Sequence, residues 1–139
     1  MPKFKEISRS YGFDEVSIIP GAVTLNPDQT NIDFTIRDIK FDIPVLASAM
    51  DAVVSPETAI KLGQLGALGI LNLEGIWSRH ENAQELLDEI ANEPNEGITK
   101  LMQKIYSAPM KENLIGTIVE KIKSAGVKCS VSLTPQNTK

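Results

Sequence analysis

Two continuous apolar runs, Ile43-Pro44-Val45-Leu46-Ala47 and Ala67-Leu68-Gly69-Ile70-Leu71, stand one helix apart, and that spacing constrains the fold more than any other feature. Short apolar runs without alternation suit strands buried on both faces of a parallel sheet. Parallel neighbours need a crossover, and the interval supplies one. Ser55 can cap a helix there, Pro56 suits its first position, and Glu57 favours the positive end of its dipole. Ala59, Ile60, Leu62, Gly63 and Leu65 carry the helix to Gly66, a natural left-handed stop. After the first run the chain turns small, Ser48-Ala49-Met50-Asp51, with one hydroxyl and one flexible thioether. A ligand can come close to the backbone at such a strand end.

The flanking segments extend this rhythm. Residues 1–10 are basic and polar and read as an arm with little structure of its own. Residues 11–21 form a short apolar segment closed by Pro20-Gly21. Asp33-Phe34-Thr35-Ile36 and Ile39-Lys40-Phe41-Asp42 alternate around Arg37-Asp38, which predicts a hairpin. Ala83, Leu86, Leu87, Ile90 and Ala91 mark an amphipathic helix that stops before Pro94. Ile98, Leu101, Met102, Ile105 and Tyr106 mark a second, broken by Pro109, and Leu114, Ile115, Ile118, Val119 and Ile122 a third that stops at Gly126. Val127 to Leu133 alternates strictly. In a parallel barrel its apolar set, Val127, Cys129, Val131 and Leu133, must face helices, leaving Lys128, Ser130 and Ser132 for the interior. Three strand–helix units in order predict an α/β fold with a parallel sheet. Because a complete eight-fold barrel takes about 250 residues, the residues fit either an N-terminal fragment of one or a small open α/β domain. The expected division is 1–42 as arm and hairpin and 43–139 as the first, incomplete part of a barrel.

Composition excludes several functions. Of 139 residues 42% are hydrophobic, as in an ordinary globular protein, and the net charge of −4 argues against a general binder of nucleic acid or acidic membrane. No apolar run approaches the ~20 residues that span a bilayer. One cysteine allows no internal disulfide and no cysteine-cluster metal site, which fits a reducing cytoplasm. The expected partner is a small molecule.

Several segments together resemble the IMP dehydrogenase/GMP reductase family: Phe13-Asp14-Glu15-Val16 with Ile18-Ile19-Pro20, then Ile43 to Val53, then Leu65 to Leu71. The match is strong from residue 11 to 75 and weakens over the helices beyond. The resemblance implies the N-terminal part of a (β/α)8 TIM barrel, about three strand–helix units, with ligands at the C-terminal ends of the strands. It implies that Ser48 lies against a bound purine nucleotide, whether IMP, XMP or GMP, and that Met50 packs on the purine; a hydroxyl and a polarisable thioether suit those tasks. Asn72 is the cofactor-adjacent residue on the same ground. Asp51 is expected to orient the loop or help cap the following helix. NAD or NADP is the implied cofactor, with a monovalent cation in the full-length protein and a homo-oligomer, a tetramer in the family, as the assembly. Family members usually carry paired CBS modules between the second and third units. Here the segment from Ile76 to Gly126 reads as helices instead, which resembles the branch without them, as does Leu71-Asn72-Leu73-Glu74-Gly75. Leu73 stands where family members commonly carry His or Lys near the cofactor, so the direction of the redox reaction stays open.

No catalytic residue is assigned. The family's cysteine nucleophile lies in a glycine-rich loop after the sixth strand, whereas Cys129 falls within an alternating strand and reads as a buried structural thiol. His80, the sole histidine, is expected at the solvated surface, having no second ligand at metal spacing. Trp77 reads as a packing anchor, and Asp88, Glu89 and Glu93 as a solvated helix face. The leading expectation is oxidation of IMP with NAD. NADPH-dependent reductive deamination of GMP is the rival, and a non-catalytic nucleotide-binding or assembly fragment is the competing class. The chain alone is expected to lack turnover and to be poorly soluble or self-associate, because unpaired strand edges invite association.

Overall fold

A computed structural model describes residues 7–138, so residues 1–6 of the expected arm lie outside the described residues. The chain forms two compact units, Met1–Asn31 and Ile32–Lys139. In the first unit the described residues make two single helical turns, Phe13–Glu15 and Pro27–Gln29. Each is closed by a side chain reaching back three residues: the Gly12 N–H donates to the Glu15 carboxylate at 2.8 Å, and the Asn26 N–H to Gln29 Oε1 at 3.0 Å. None of the described residues of this unit is buried.

The second unit opens with the expected hairpin. Strands β1 (Phe34–Ile36) and β2 (Ile39–Phe41) pair antiparallel, Phe34 opposite Phe41. The tight turn puts Arg37 at a left-handed φ of 52°. Next come β3 (Leu46–Ala47), helix α1 (Pro56–Gln64) and β4 (Leu68–Asn72). Helices α2 (Ala83–Asn92), α3 (Asn95–Tyr106) and α4 (Glu112–Ser124) separate β4 from β5 (Ser130–Ser132). The three strands form one parallel sheet in the order β3-β4-β5, with Ala47 beside Gly69 and Leu71 beside Val131.

Local signals account for the helix ends. Ser55 Oγ accepts from the Thr58 N–H at 3.0 Å, satisfying an otherwise orphaned donor of the first turn of α1. Gly66 closes the exit at φ 83°, and Gly126 ends α4 at φ 73°, both in the left-handed region that favours glycine. One face of the sheet packs on α1 and α4: Val54, Ala59, Leu71, Leu73, Ile118 and Ile122 form the buried cluster. A second cluster, Ile76, Ala83 and Ile105, joins α2 and α3, and Trp77 packs against both as the expected anchor.

Two strands are shorter than expected. The predicted strand over 43–47, buried on both faces, reduces to Leu46–Ala47, with Leu46 43% exposed. Pro44 has no N–H to give a ladder, the Val45 N–H turns back to Ile43 O at 2.9 Å, and among the described residues β3 has a neighbour on one side only. The predicted strand over 127–133 pairs only at 130–132. Its facing holds: Val127, Cys129 and Leu133 pack on the α1–α4 cluster, while Ser130 and Ser132 share the other face with Ile70 and Asn72. Val131 lies on the helix side yet stays partly exposed.

Candidate functional site

Strand β4 shows which face is which. Gly69 and Leu71 are buried toward the helices, and Leu68, Ile70 and Asn72 are half-buried on the opposite face. All three strands run the same way, so Ser48, Asn72 and the segment after Ser132 leave the sheet at one edge, the C-terminal one. This is the edge at which parallel α/β sheets bind ligands.

Ser48 follows β3 directly and is exposed; Met50, two residues on, is 54% exposed. Their loop is tightly folded. The Met50 N–H donates to Ser48 O at 2.8 Å, and Met50 O accepts from the N–H groups of Val53 and Val54, both at 2.9 Å. Asn72 ends β4, and its Oδ1 accepts from the Glu74 N–H at 3.1 Å, leaving the side-chain amide as a donor. Leu73 points the other way, into the α1–α4 cluster. Position 73 therefore carries a core side chain in this chain.

The loop after β5 closes on the loop after β4. Thr134 Oγ1 donates to Glu74 Oε1 at 2.7 Å, and the Asn137 amide donates to the same oxygen. These donors, Thr134 first and Asn137 second, hold the Glu74 carboxyl below its ordinary range. Nothing local in the sequence announces this pairing.

Asp51 orients the loop, as expected, but through a different element from the helix that follows it. Its Oδ2 accepts from the Ile76 N–H at 2.9 Å and from the Tyr106 hydroxyl at 2.7 Å. Burial first, then the Asp51 hydrogen bond, pushes the Tyr106 phenol well above its ordinary value. The expectation for His80 is corrected. It is half-buried, with Nε2 2.9 Å from Ile105 O, because the turn over Ile76–Ser78 folds it against the end of α3. Arg79 fastens the same turn, its Nε donating to Glu74 O at 3.0 Å and its guanidinium to Ala108 O.

Cys129 is half-buried and packs on the core, and burial raises its thiol pKa. A protonated thiol at neutral pH suits packing and not nucleophilic attack. Asp88 and Glu89 are exposed, on the face expected to be solvated, and Glu93 is half-buried. Among the described residues, no group of three or more His, Cys, Asp or Glu side chains could hold a metal ion, and no helix is long and apolar enough to cross a membrane. A cavity of about 590 Å³ adjoins the loop on its α2–α3 side, lined by Asp51, Val53, Trp77, Leu87 and Ile98 among others. Ser48, Met50 and Asn72 do not line it.

Residues 10–128 match the IMP dehydrogenase / GMP reductase domain. The chain belongs to that family. An uncharacterized oxidoreductase of Mycobacterium tuberculosis is 38% identical over 134 residues, which cover 93% of this chain and 36% of that protein. The inosine-5'-monophosphate dehydrogenase of Methanocaldococcus jannaschii is 35% identical over 72 residues, covering 52% of this chain and 14% of the relative. Among solved structures, an IMP dehydrogenase/GMP reductase-like protein from Corynebacterium glutamicum superposes with a TM-score of 0.83 at 29% identity, over 93% of this chain and 36% of that one. This member of the IMP dehydrogenase/GMP reductase family thus spans about 36% of the length of the uncharacterized oxidoreductases it matches.

Proposed function

We propose that this chain forms one wall of the purine-nucleotide site of an oxidoreductase that converts IMP, NAD and water to XMP, NADH and a proton. In this reading residues 43–139 are the first part of a (β/α)8 barrel, with residues 1–42 preceding it as arm and hairpin. The observation that carries it is the exposure of Ser48 and Met50 at the C-terminal edge of the parallel sheet, on a loop that is itself hydrogen-bonded. A hydroxyl there can bond ribose or phosphate oxygen, and an exposed thioether can pack on a purine ring.

The Asn72 amide donor lies on the same edge and fits the carbonyl of a nicotinamide. That cofactor, when bound, accepts or gives the hydride; Asn72 would orient it. The cysteine nucleophile and the monovalent-cation site of the family fall to residues other than those of this chain, and a homo-oligomer belongs to the whole protein. NADPH-dependent deamination of GMP remains the rival reaction, since Leu73 faces the core and does not discriminate between the two.

Calorimetric titration with IMP and with GMP tests the site. Saturable binding is expected, weakened about 3- to 10-fold by Ser48→Ala, the range for one lost hydrogen bond. Equal affinities for wild type and for both Ser48→Ala and Met50→Ala would remove these residues from the site. Absorbance of the nicotinamide, rising with IMP or falling with GMP, separates the two reactions in any preparation that turns over.

A further inference from the structure

The loop that carries Ser48 and Met50 is held from outside by one carboxylate. Asp51 Oδ2 takes two donors from distant parts of the chain, the Ile76 N–H and the Tyr106 hydroxyl. Its Oδ1 is buried without a hydrogen bond and lies against Gly75, where a Cβ would stand 1.9 Å away. Gly75 has an ordinary φ of −87°, so space and not backbone conformation demands glycine. The carboxylate is thus wedged onto the turn after β4, and Tyr106 locks it from the end of α3.

The end of α3 is itself fastened to that turn. Ile105 sits in the cluster with Ile76 and Ala83, its carbonyl meets His80, and Arg79 reaches Ala108 O. A phenol rooted in this assembly is a fixed point. The helical segment between β4 and β5 therefore reaches back, across 55 residues, to the proposed nucleotide loop.

We infer that Tyr106 is a positioning residue for nucleotide binding: by holding Asp51 it fixes the Ser48–Val53 backbone before the ligand arrives. The inference rests on the nucleotide reading of Ser48 and Met50. Its physical content is preorganisation. A loop already ordered loses less conformational freedom on binding, and that saving appears as affinity.

Tyr106→Phe keeps the ring in its cluster and deletes only the hydroxyl. Leu101→Ala, in the same cluster, removes packing and leaves the hydroxyl in place. Amide exchange by NMR, without ligand, is compared across wild type and both variants at Ile76 and at Met50–Val54. Tyr106→Phe is expected to speed exchange there by about 10-fold, in line with the loss of a hydrogen bond to a charged group, and to weaken IMP or GMP binding by a similar factor. Leu101→Ala is expected to lower the thermal midpoint while leaving the ratio of loop to α4 exchange unchanged. Unchanged loop exchange in Tyr106→Phe, or the same loop response in Leu101→Ala, overturns the positioning role. Absence of nucleotide binding by wild type overturns the site reading, and the exchange comparison still decides whether Tyr106 holds the loop.

Discussion

Strands β3 and β4 begin from similar sequences and end in different states. Both runs are apolar and continuous, yet Leu71 in β4 is 0% exposed while Leu46 in β3 is 43% exposed. The difference lies in the neighbours. β4 is paired on both edges and covered by α1 and α4 on one face, whereas β3 is paired only with β4 among the described residues. Apolarity states what a strand can bury; the ladder on either side decides what it does bury. The edge strand β3 is also the one that delivers Ser48 and Met50, so the proposed ligand contacts follow a partly exposed strand.

The sharpest break in that comparison is a pair of truncations. Leu71→Ala empties a fully buried position and should cost about 2–5 kcal/mol, whereas Leu46→Ala should cost less than about 1 kcal/mol. Urea unfolding followed by circular dichroism measures both. Equal losses would mean that β3 is enclosed in solution, for instance by a second copy of the chain, and would redirect the reading of its exposed side.

A smaller effect is expected one residue pair away. Ala47 and Gly69 lie side by side on the helix face, but a Cβ on Gly69 would stand 2.8 Å from the Ala59 backbone. Backbone cannot yield as a side-chain tip can, so Gly69→Ala should destabilise by about 1–3 kcal/mol, with α1 displaced from β4. The thermal midpoint reads the loss, and nuclear Overhauser contacts between Ala59 and β4 read the displacement. A stabilised variant would show that the α1–β4 contact has room.

These cases also show what the sequence could and could not disclose. The hairpin, α1 and the order of strands and helices were legible because their signals are local: Arg37-Asp38 between alternating runs, Ser55-Pro56 at a helix start, Gly66 and Gly126 at the stops. The shortening of β3 was not, since it depends on which strands lie beside it, and among the described residues only β4 does. His80 departs from the surface expectation because its partner is a backbone carbonyl 25 residues away, which no side-chain pattern encodes. The partner of Asp51 is hidden too: Tyr106 lies 55 residues on and reads only as one more apolar position of a helix. A separation of 60 residues likewise hid the pairing of Glu74 with Thr134. Ser48 and Met50 stood out through the motif around them and not through their own chemistry.

The cap of α1 couples the two strands. Ser55→Ala removes the acceptor for the Thr58 N–H and should cost about 1 kcal/mol. Because α1 packs on β4, amide exchange should quicken along the helix and at β4 before it changes in β5. Uniform quickening would mean that the three strands open as one unit.

The smallest expected effect is a titration at the C-terminal edge. The Glu74 carboxyl is held below its ordinary value of 4.5 by Thr134 and Asn137, so it binds a proton less readily in the folded chain than in the unfolded one. The contribution is therefore present above the ordinary carboxylate pKa and is lost as pH falls through the lower folded value. The loop after β5 should therefore stay closed on β4 throughout the ordinary carboxylate range and above it, and should loosen only as pH falls below that range. The group is exposed, which keeps the change local. Side-chain amide shifts of Asn137 and the Thr134 resonances should move together through this acid transition, while the buried Leu71 methyls stay still. Glu74→Gln keeps an oxygen acceptor for Thr134 but cannot take a proton, so it should abolish the transition. A transition that persists in Glu74→Gln would assign it to another carboxyl, and one that carries the Leu71 methyls with it would reflect loss of the paired strand and not release of a loop.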